Sequence, residues 1–117
     1  MKIISNGQYK YIEACLFNYY QMSKSTDETE QKVIKAINET ISYFKDTSHE
    51  RMMREYYFNS KTYLKKYTRA GHYTFVCLNI IHTEEPNGYV IRREIVYRVA
   101  MMCYALGIFT VKNFEEN

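Results

Sequence analysis

Apolar residues recur at helical spacing along most of this chain. Ile91, Ile95, Val99, Met102 and Leu106 follow one another at steps of four, four, three and four, which predicts a helix over residues 89–106 with one apolar face. Arg92, Arg93 and Tyr97 fall on or beside the other face. Asn87 and Gly88 precede this helix, and Gly107 stands where a C-cap belongs. Upstream, Ile12, Leu16 and Tyr19 predict a first helix from about residue 8 to residue 22, after a short arm over residues 1–7. Val33, Ile37, Ile41 and Phe44 predict a second helix ending near Lys45. Ser25 and Glu28 form a capping box at its start, and Asp27, Glu28 and Glu30 suit the positive end of its dipole. Thr47 and Glu50 form a second box, opening a third helix over residues 48–57. Residues 61–70, KTYLKKYTRA, predict a short basic helix that Gly71 stops.

Residues 72–82, HYTFVCLNIIH, fit two patterns. The β-branched and aromatic content favours a strand, whereas Phe75, Leu78, Asn79 and His82 fit a helical phase. Context selects the helix: a short buried helix, a turn over residues 83–88 and a long arginine-bearing helix make a helix-turn-helix. Pro86 suits a helix entry because its missing amide would be unbonded there anyway. One proline and four glycines are few for a β-rich chain. The expected fold class is therefore all-α, a small helical domain. Residues 1–50 form an N-terminal helical region and residues 51–117 the helix-turn-helix region, in one domain overall.

Composition adds a charge asymmetry. Residues 1–50 hold six lysines against seven acids, whereas residues 51–105 hold nine Lys and Arg against four acids. Every arginine lies between Arg51 and Arg98. Such a distribution suits a half that meets phosphate, although a solvated basic face gives the same pattern. Thirteen tyrosines imply rings that are half buried or exposed at a contact surface. Cys15, Cys77 and Cys103 are odd in number and lack a CxxC spacing, so they read as reduced, buried thiols of a cytoplasmic protein. No secretory leader and no membrane-spanning run is expected.

Catalytic chemistry finds no support. His72, Cys77 and His82 are spaced by five, so they do not share a helix face as metal ligands would. Phosphate-cradling glycine loops and nucleophile elbows are missing from the sequence. Neither an enzyme nor a cofactor is expected.

Three stretches, REYYFNSK (54–61), YVIRREIVYRVA (89–100) and YALGI (104–108), resemble phage late-transcription regulators of the RinA and ArpU type. The resemblance covers about the last 65 residues. It implies a C-terminal half similar to the promoter-reading helix-turn-helix of sigma factors, sigma-factor-region-4-like. It further implies an activator of phage late genes in a bacterial host, with late-promoter duplex DNA and RNA polymerase as partners. Carried onto this sequence, the reading helix places Asn87, Tyr89, Arg92, Arg93 and Tyr97 at or near the groove. Physical chemistry agrees on types: arginine can bond guanine bidentately, and the N-terminal residues of a recognition helix meet base edges. Lys61, Lys65, Lys66 and Arg69 are then expected to contact phosphates. Arg98 is expected to pair with Glu94 one turn away. Glu84 and Glu85 depart from the family pattern, because two carboxylates at the entry to a reading helix repel phosphate unless they point away.

The alternative is a non-enzymatic interaction protein of a phage or mobile element. Met52, Met53, Met101 and Met102, with exposed tyrosines, would then form a homodimer surface or bind a protein regulator or host enzyme.

Overall fold

The computed structural model describes residues 4–109, all of whose regular structure is helical. Seven α-helices occur: α1 Asn6–Phe17, α2 Tyr19–Met22, α3 Glu28–Tyr43, α4 Ser48–Met52, α5 Ser60–Tyr63, α6 Arg69–Phe75 and α7 Glu85–Ala105. Two π-helical segments, Met53–Phe58 and Val76–Ile81, continue α4 and α6 without a break. Residues 72–81 are therefore helical, as context predicted, with His82 just past the end, and the β-branched run is wound into the wider segment.

The π winding has a packing reason. Tyr56, Tyr57 and Phe58 are consecutive, and all are buried. An i→i+5 turn spreads successive side chains over a smaller angle than an α turn does, so three neighbours can face one core. Asn59 closes this segment with an amide bond to the Arg54 carbonyl at 3.0 Å.

Helix ends follow local chemistry, with corrections. Ser5 caps α1, accepting from the Gln8 amide at 3.0 Å while the Gln8 side chain accepts from the Ser5 amide at 3.0 Å. The helix thus begins inside the stretch expected to be an arm. It also breaks at Asn18 rather than running on to Met22. For α3 the cap is Asp27, which accepts from the Glu30 amide at 2.9 Å. Ser25 supports that turn from outside, donating to the Glu30 carboxylate at 2.7 Å. At α4, Thr47 accepts from the Glu50 amide, but Glu50 reaches the Asp46 amide at 2.8 Å. Gly71 does not stop a helix. It lies in the first turn of α6, where its amide donates to the N-cap Thr68. The basic helix expected over residues 61–70 is instead one turn of α5, then a turn carrying Lys65 and Lys66, then the start of α6.

The long helix α7 is the centre of the molecule, packed by α1, α3 and α4. Ile91, Ile95 and Val99 are buried as predicted. A second stripe is buried as well: Gly88, Val96, Ala100 and Cys103. With two covered stripes, α7 is not half core and half surface, and its outward face is narrow. At its C-terminus Gly107 adopts φ 77°. The Ile108 amide bonds the Cys103 carbonyl at 2.8 Å and the Gly107 amide bonds Tyr104 at 3.1 Å, a full Schellman motif. Phe109 folds back into the core. Val111 and the charged end lie outside the described residues.

The entry to α7 is a three-residue turn, His82 to Glu84. His82 takes the left-handed conformation, φ 60° and ψ 51°. Across the turn, Gly88 lets α7 approach the preceding helix: a Cβ there would overlap the Tyr73 hydroxyl and stand 2.6 Å from the Cys77 sulfur. No helix among the described residues is long and apolar enough to cross a membrane.

Candidate nucleic-acid interface

The five residues expected to face a groove are spread over the first four turns of α7 and fare differently. Tyr89 and Arg93 are exposed, with Tyr89 at 56% of its full accessibility. Asn87 is exposed too, but its side-chain amide donates to the Thr83 hydroxyl at 2.7 Å, which ties the turn together. Tyr97 is half buried, edge-on to Tyr9 at 6.4 Å. Arg93, Tyr97 and Tyr9 line a shallow depression with Ile4, Ser5 and Asn6 from the start of α1.

Arg92 points inward, contrary to its expected place in a groove. Its Nη2 donates to the Glu13 carboxylate at 2.9 Å, and its Nε lies 3.4 Å from the Tyr57 hydroxyl. The guanidinium also sits over the rings of Tyr56, Tyr73 and Tyr89 at 4.7, 5.0 and 5.3 Å. Tyr57 donates to the same Glu13 oxygen at 2.6 Å. Burial and the Glu13 charge push the Tyr57 hydroxyl well above its usual range. Arg92 is thus held within the protein by Glu13, Tyr57 and the surrounding rings rather than turned outward.

The sequence held a signal for this. Gly88, Arg92, Val96 and Ala100 follow at steps of four, so Arg92 interrupts an otherwise small or apolar stripe. A cation in such a stripe needs a carboxylate partner. Glu13, one turn from Tyr9 and from Phe17 on α1, supplies it.

The acidic entry is also resolved in part. Glu85 Oε1 accepts from the Thr74 hydroxyl at 2.6 Å, and the Glu85 carbonyl accepts from Tyr73 at 2.6 Å, so this carboxylate is turned back onto α6. Glu84 stays exposed. Glu94 pairs with His49 at 3.2 Å rather than with Arg98. Arg98 instead lies over the Tyr43 ring, 3.7 Å from its centre.

Comparison with protein-family models, with curated proteins and with solved structures gives no match, so the interface rests on its own geometry.

Among the expected phosphate contacts, Lys61, Lys65 and Lys66 are exposed and form no ion pair with another described residue. Arg69 is exposed, but its guanidinium is parked over Phe17, 3.8 Å from the ring centre. Behind the lysines lies His72, fully buried and stacked on Tyr63 with centroids 4.2 Å apart. Neither of its ring nitrogens makes a hydrogen bond of normal geometry. Burial lowers its pKa, outweighing the Glu55 main chain and carboxylate, and the nearby Arg69 charge acts in the same direction as burial. Among the described residues no cluster of three or more His, Cys, Asp or Glu is placed to hold a metal ion.

Proposed function

We propose that this chain is a DNA-binding transcriptional regulator, an activator of the phage late-gene type, that engages duplex DNA with the exposed start of α7. The observation that carries the reading is the three-residue turn from His82 to Glu84. It follows a helix packed closely on α7 at Gly88 and leaves Tyr89 and Arg93 directed outward in the second and third turns of α7. That is the arrangement a recognition helix uses to bring N-terminal side chains to base edges. Lys61, Lys65 and Lys66, in no ion pair with a described residue, add positive charge for phosphates. By the same resemblance, RNA polymerase is the protein partner.

The reading is narrower than the sequence suggested. Arg93 is the candidate for guanine contact and Tyr89 for apolar or hydrogen-bonding contact, with Arg92 serving as a strut behind them. Duplex fragments from a phage late-promoter region, titrated by anisotropy over a salt series, test it. Phosphate contacts require affinity that falls steeply with salt. Arg93→Ala is expected to weaken binding to the preferred sequence by roughly 5- to 150-fold and flatten sequence preference, equivalent to about 1–3 kcal/mol. Unchanged affinity and preference in that variant would remove α7 as the reader.

Of the methionines expected on an interaction surface, Met52 and Met53 are fully buried in the core and Met102 is half buried, so the interaction-protein reading keeps Met101 alone of the four. Tyr89, Val90 and Met101 are exposed apolar residues on α7, at 56%, 38% and 52%. If the chain binds no duplex at low salt, this face is a protein surface, and a concentration-dependent sedimentation coefficient identifies a second copy as its partner.

A further inference from the structure

The turn joining α5 to α6 combines exposed cations with an open aromatic ring. Lys65 and Lys66 occupy it, Lys61 lies one turn earlier, and Tyr67 follows directly. The Tyr67 amide bonds the Tyr63 carbonyl at 2.9 Å, which fixes the backbone under the ring. The Tyr67 ring stacks on Phe75, with centroids 5.8 Å apart and planes 25° from parallel. Tyr63 adjoins both rings and is itself stacked on buried His72 at 13°. Tyr67 is thus the outermost member of a layered set of rings, and 42% of it remains exposed. Its neighbour Leu64 is 36% exposed. The nearby carboxylate of Glu55 accepts from the Tyr63 hydroxyl and the Asn59 side-chain amide and forms no ion pair with these lysines.

A ligand for this surface needs negative charge at short intervals and a free flat face. Duplex DNA supplies the charge but hides its base faces in the stack. An acidic peptide supplies charge without rings. A single-stranded nucleic acid supplies both, and aromatic rings flanked by lysines are how such strands are held. The backing of Phe75 also favours binding, because a ring already held in place loses little rotamer freedom on stacking.

We propose that Tyr67, with Lys61, Lys65 and Lys66, forms a binding site for single-stranded nucleic acid, the ring stacking on an unpaired base and the lysines meeting the flanking phosphates. The three lysines are shared with the duplex reading, but Tyr67 takes no part in it, so variants at Tyr67 separate the failure of this site from the failure of that reading. In a regulator seated on a promoter it would take one strand of locally opened DNA.

The test uses the full chain and a fluorescein-labelled oligothymidine of about 12 nucleotides, within the range one small site covers. Binding is followed by anisotropy, with a duplex of equal length and polyglutamate as competitors. Tyr67→Ala is expected to weaken the single strand by roughly 5- to 150-fold, the range of one base stack, while duplex affinity stays level. Tyr67→Phe keeps the ring and is expected to retain binding. Tyr67→Trp gives the chain its only tryptophan, whose fluorescence stacking on a base would quench. The proposal is overturned if the oligothymidine does not bind, or if polyglutamate displaces it as well as the unlabelled strand does. Equal affinity in folded Tyr67→Ala, judged by unchanged helical circular dichroism, also overturns it. Should that variant unfold, the tryptophan variant decides: saturation without quenching rejects the site.

Discussion

Arg92 Nη2 and Glu13 Oε2 stand 2.9 Å apart, joining α7 to α1 across 79 positions of sequence. The pair is largely covered, with side chains 15% and 19% exposed. Tyr57 bonds both partners, so three elements meet at one carboxylate oxygen. A residue expected to read DNA is in this way the tie that orients the helix carrying exposed Tyr89 and Arg93.

Removing one member of this pair strands the other. Arg92→Met is expected to destabilise the fold by about 3 kcal/mol, near the lower end of the cost for breaking a buried pair because some solvent reaches it. Urea unfolding of Arg92→Met, Glu13→Gln and the double variant measures the cost. A double variant no worse than the worse single one identifies the coupling; additive losses would show that the two residues act independently.

Gly88 predicts a second outcome. Alanine is the better helix former by about 1 kcal/mol. Here its Cβ would collide with Tyr73 and Cys77, whose positions are held by burial and by the Tyr73 bond to the Glu85 carbonyl. Gly88→Ala is therefore expected to lose roughly 1–3 kcal/mol as overpacking outweighs propensity. A raised melting temperature in this variant would mean that the two helices are less tightly apposed.

His72 makes stability depend on pH. Its pKa is lowered in the fold from 6.5, mainly by burial. Below pH 6.5 the unfolded chain takes up a proton that the folded chain refuses, so stability is full above that value and falls as pH drops toward the lowered folded pKa. The melting temperature is expected to fall between pH 7 and pH 5, and His72→Phe, which keeps a ring against Tyr63, is expected to remove part of that slope. An identical slope in the variant would assign the pH dependence to other groups.

The three thiols are expected to be inert in the native protein. Cys15, Cys77 and Cys103 are all buried and free. Burial raises all three, and Cys103 is pushed up to about 12. Since the thiolate is the reactive form, a thiol reagent at pH 8 should label none of them quickly and all three in denaturant. Fast native labelling of any one would show local opening around it.

Sequence periodicity was a good guide to what is helical and a poor guide to what is outside. The stripe Ile91, Ile95, Val99 is buried as its spacing required, and Gly107 ends α7 because only its left-handed conformation completes the Schellman motif. Caps slipped by a residue or two, as at Asp27 for Ser25, because several neighbouring side chains can serve one orphan amide. The π segments were invisible, since α and π windings share apolar content and differ only in how a core accommodates consecutive aromatic residues such as Tyr56, Tyr57 and Phe58.

The candidate interface divides in the same way. Lys65, Lys66, Tyr89 and Arg93 are exposed because none of the described residues folds over them. By itself the sequence determined an all-helical chain, its apolar stripes and the charge imbalance of its second half, since these depend on residues close in sequence. Only the tertiary structure decided that Arg92 turns in toward Glu13, that Glu85 turns back to Thr74, and that Tyr67 is backed by Phe75. Each of those depends on a partner from another element, and a cation or carboxylate takes whichever side offers it a partner at the least cost in lost hydration.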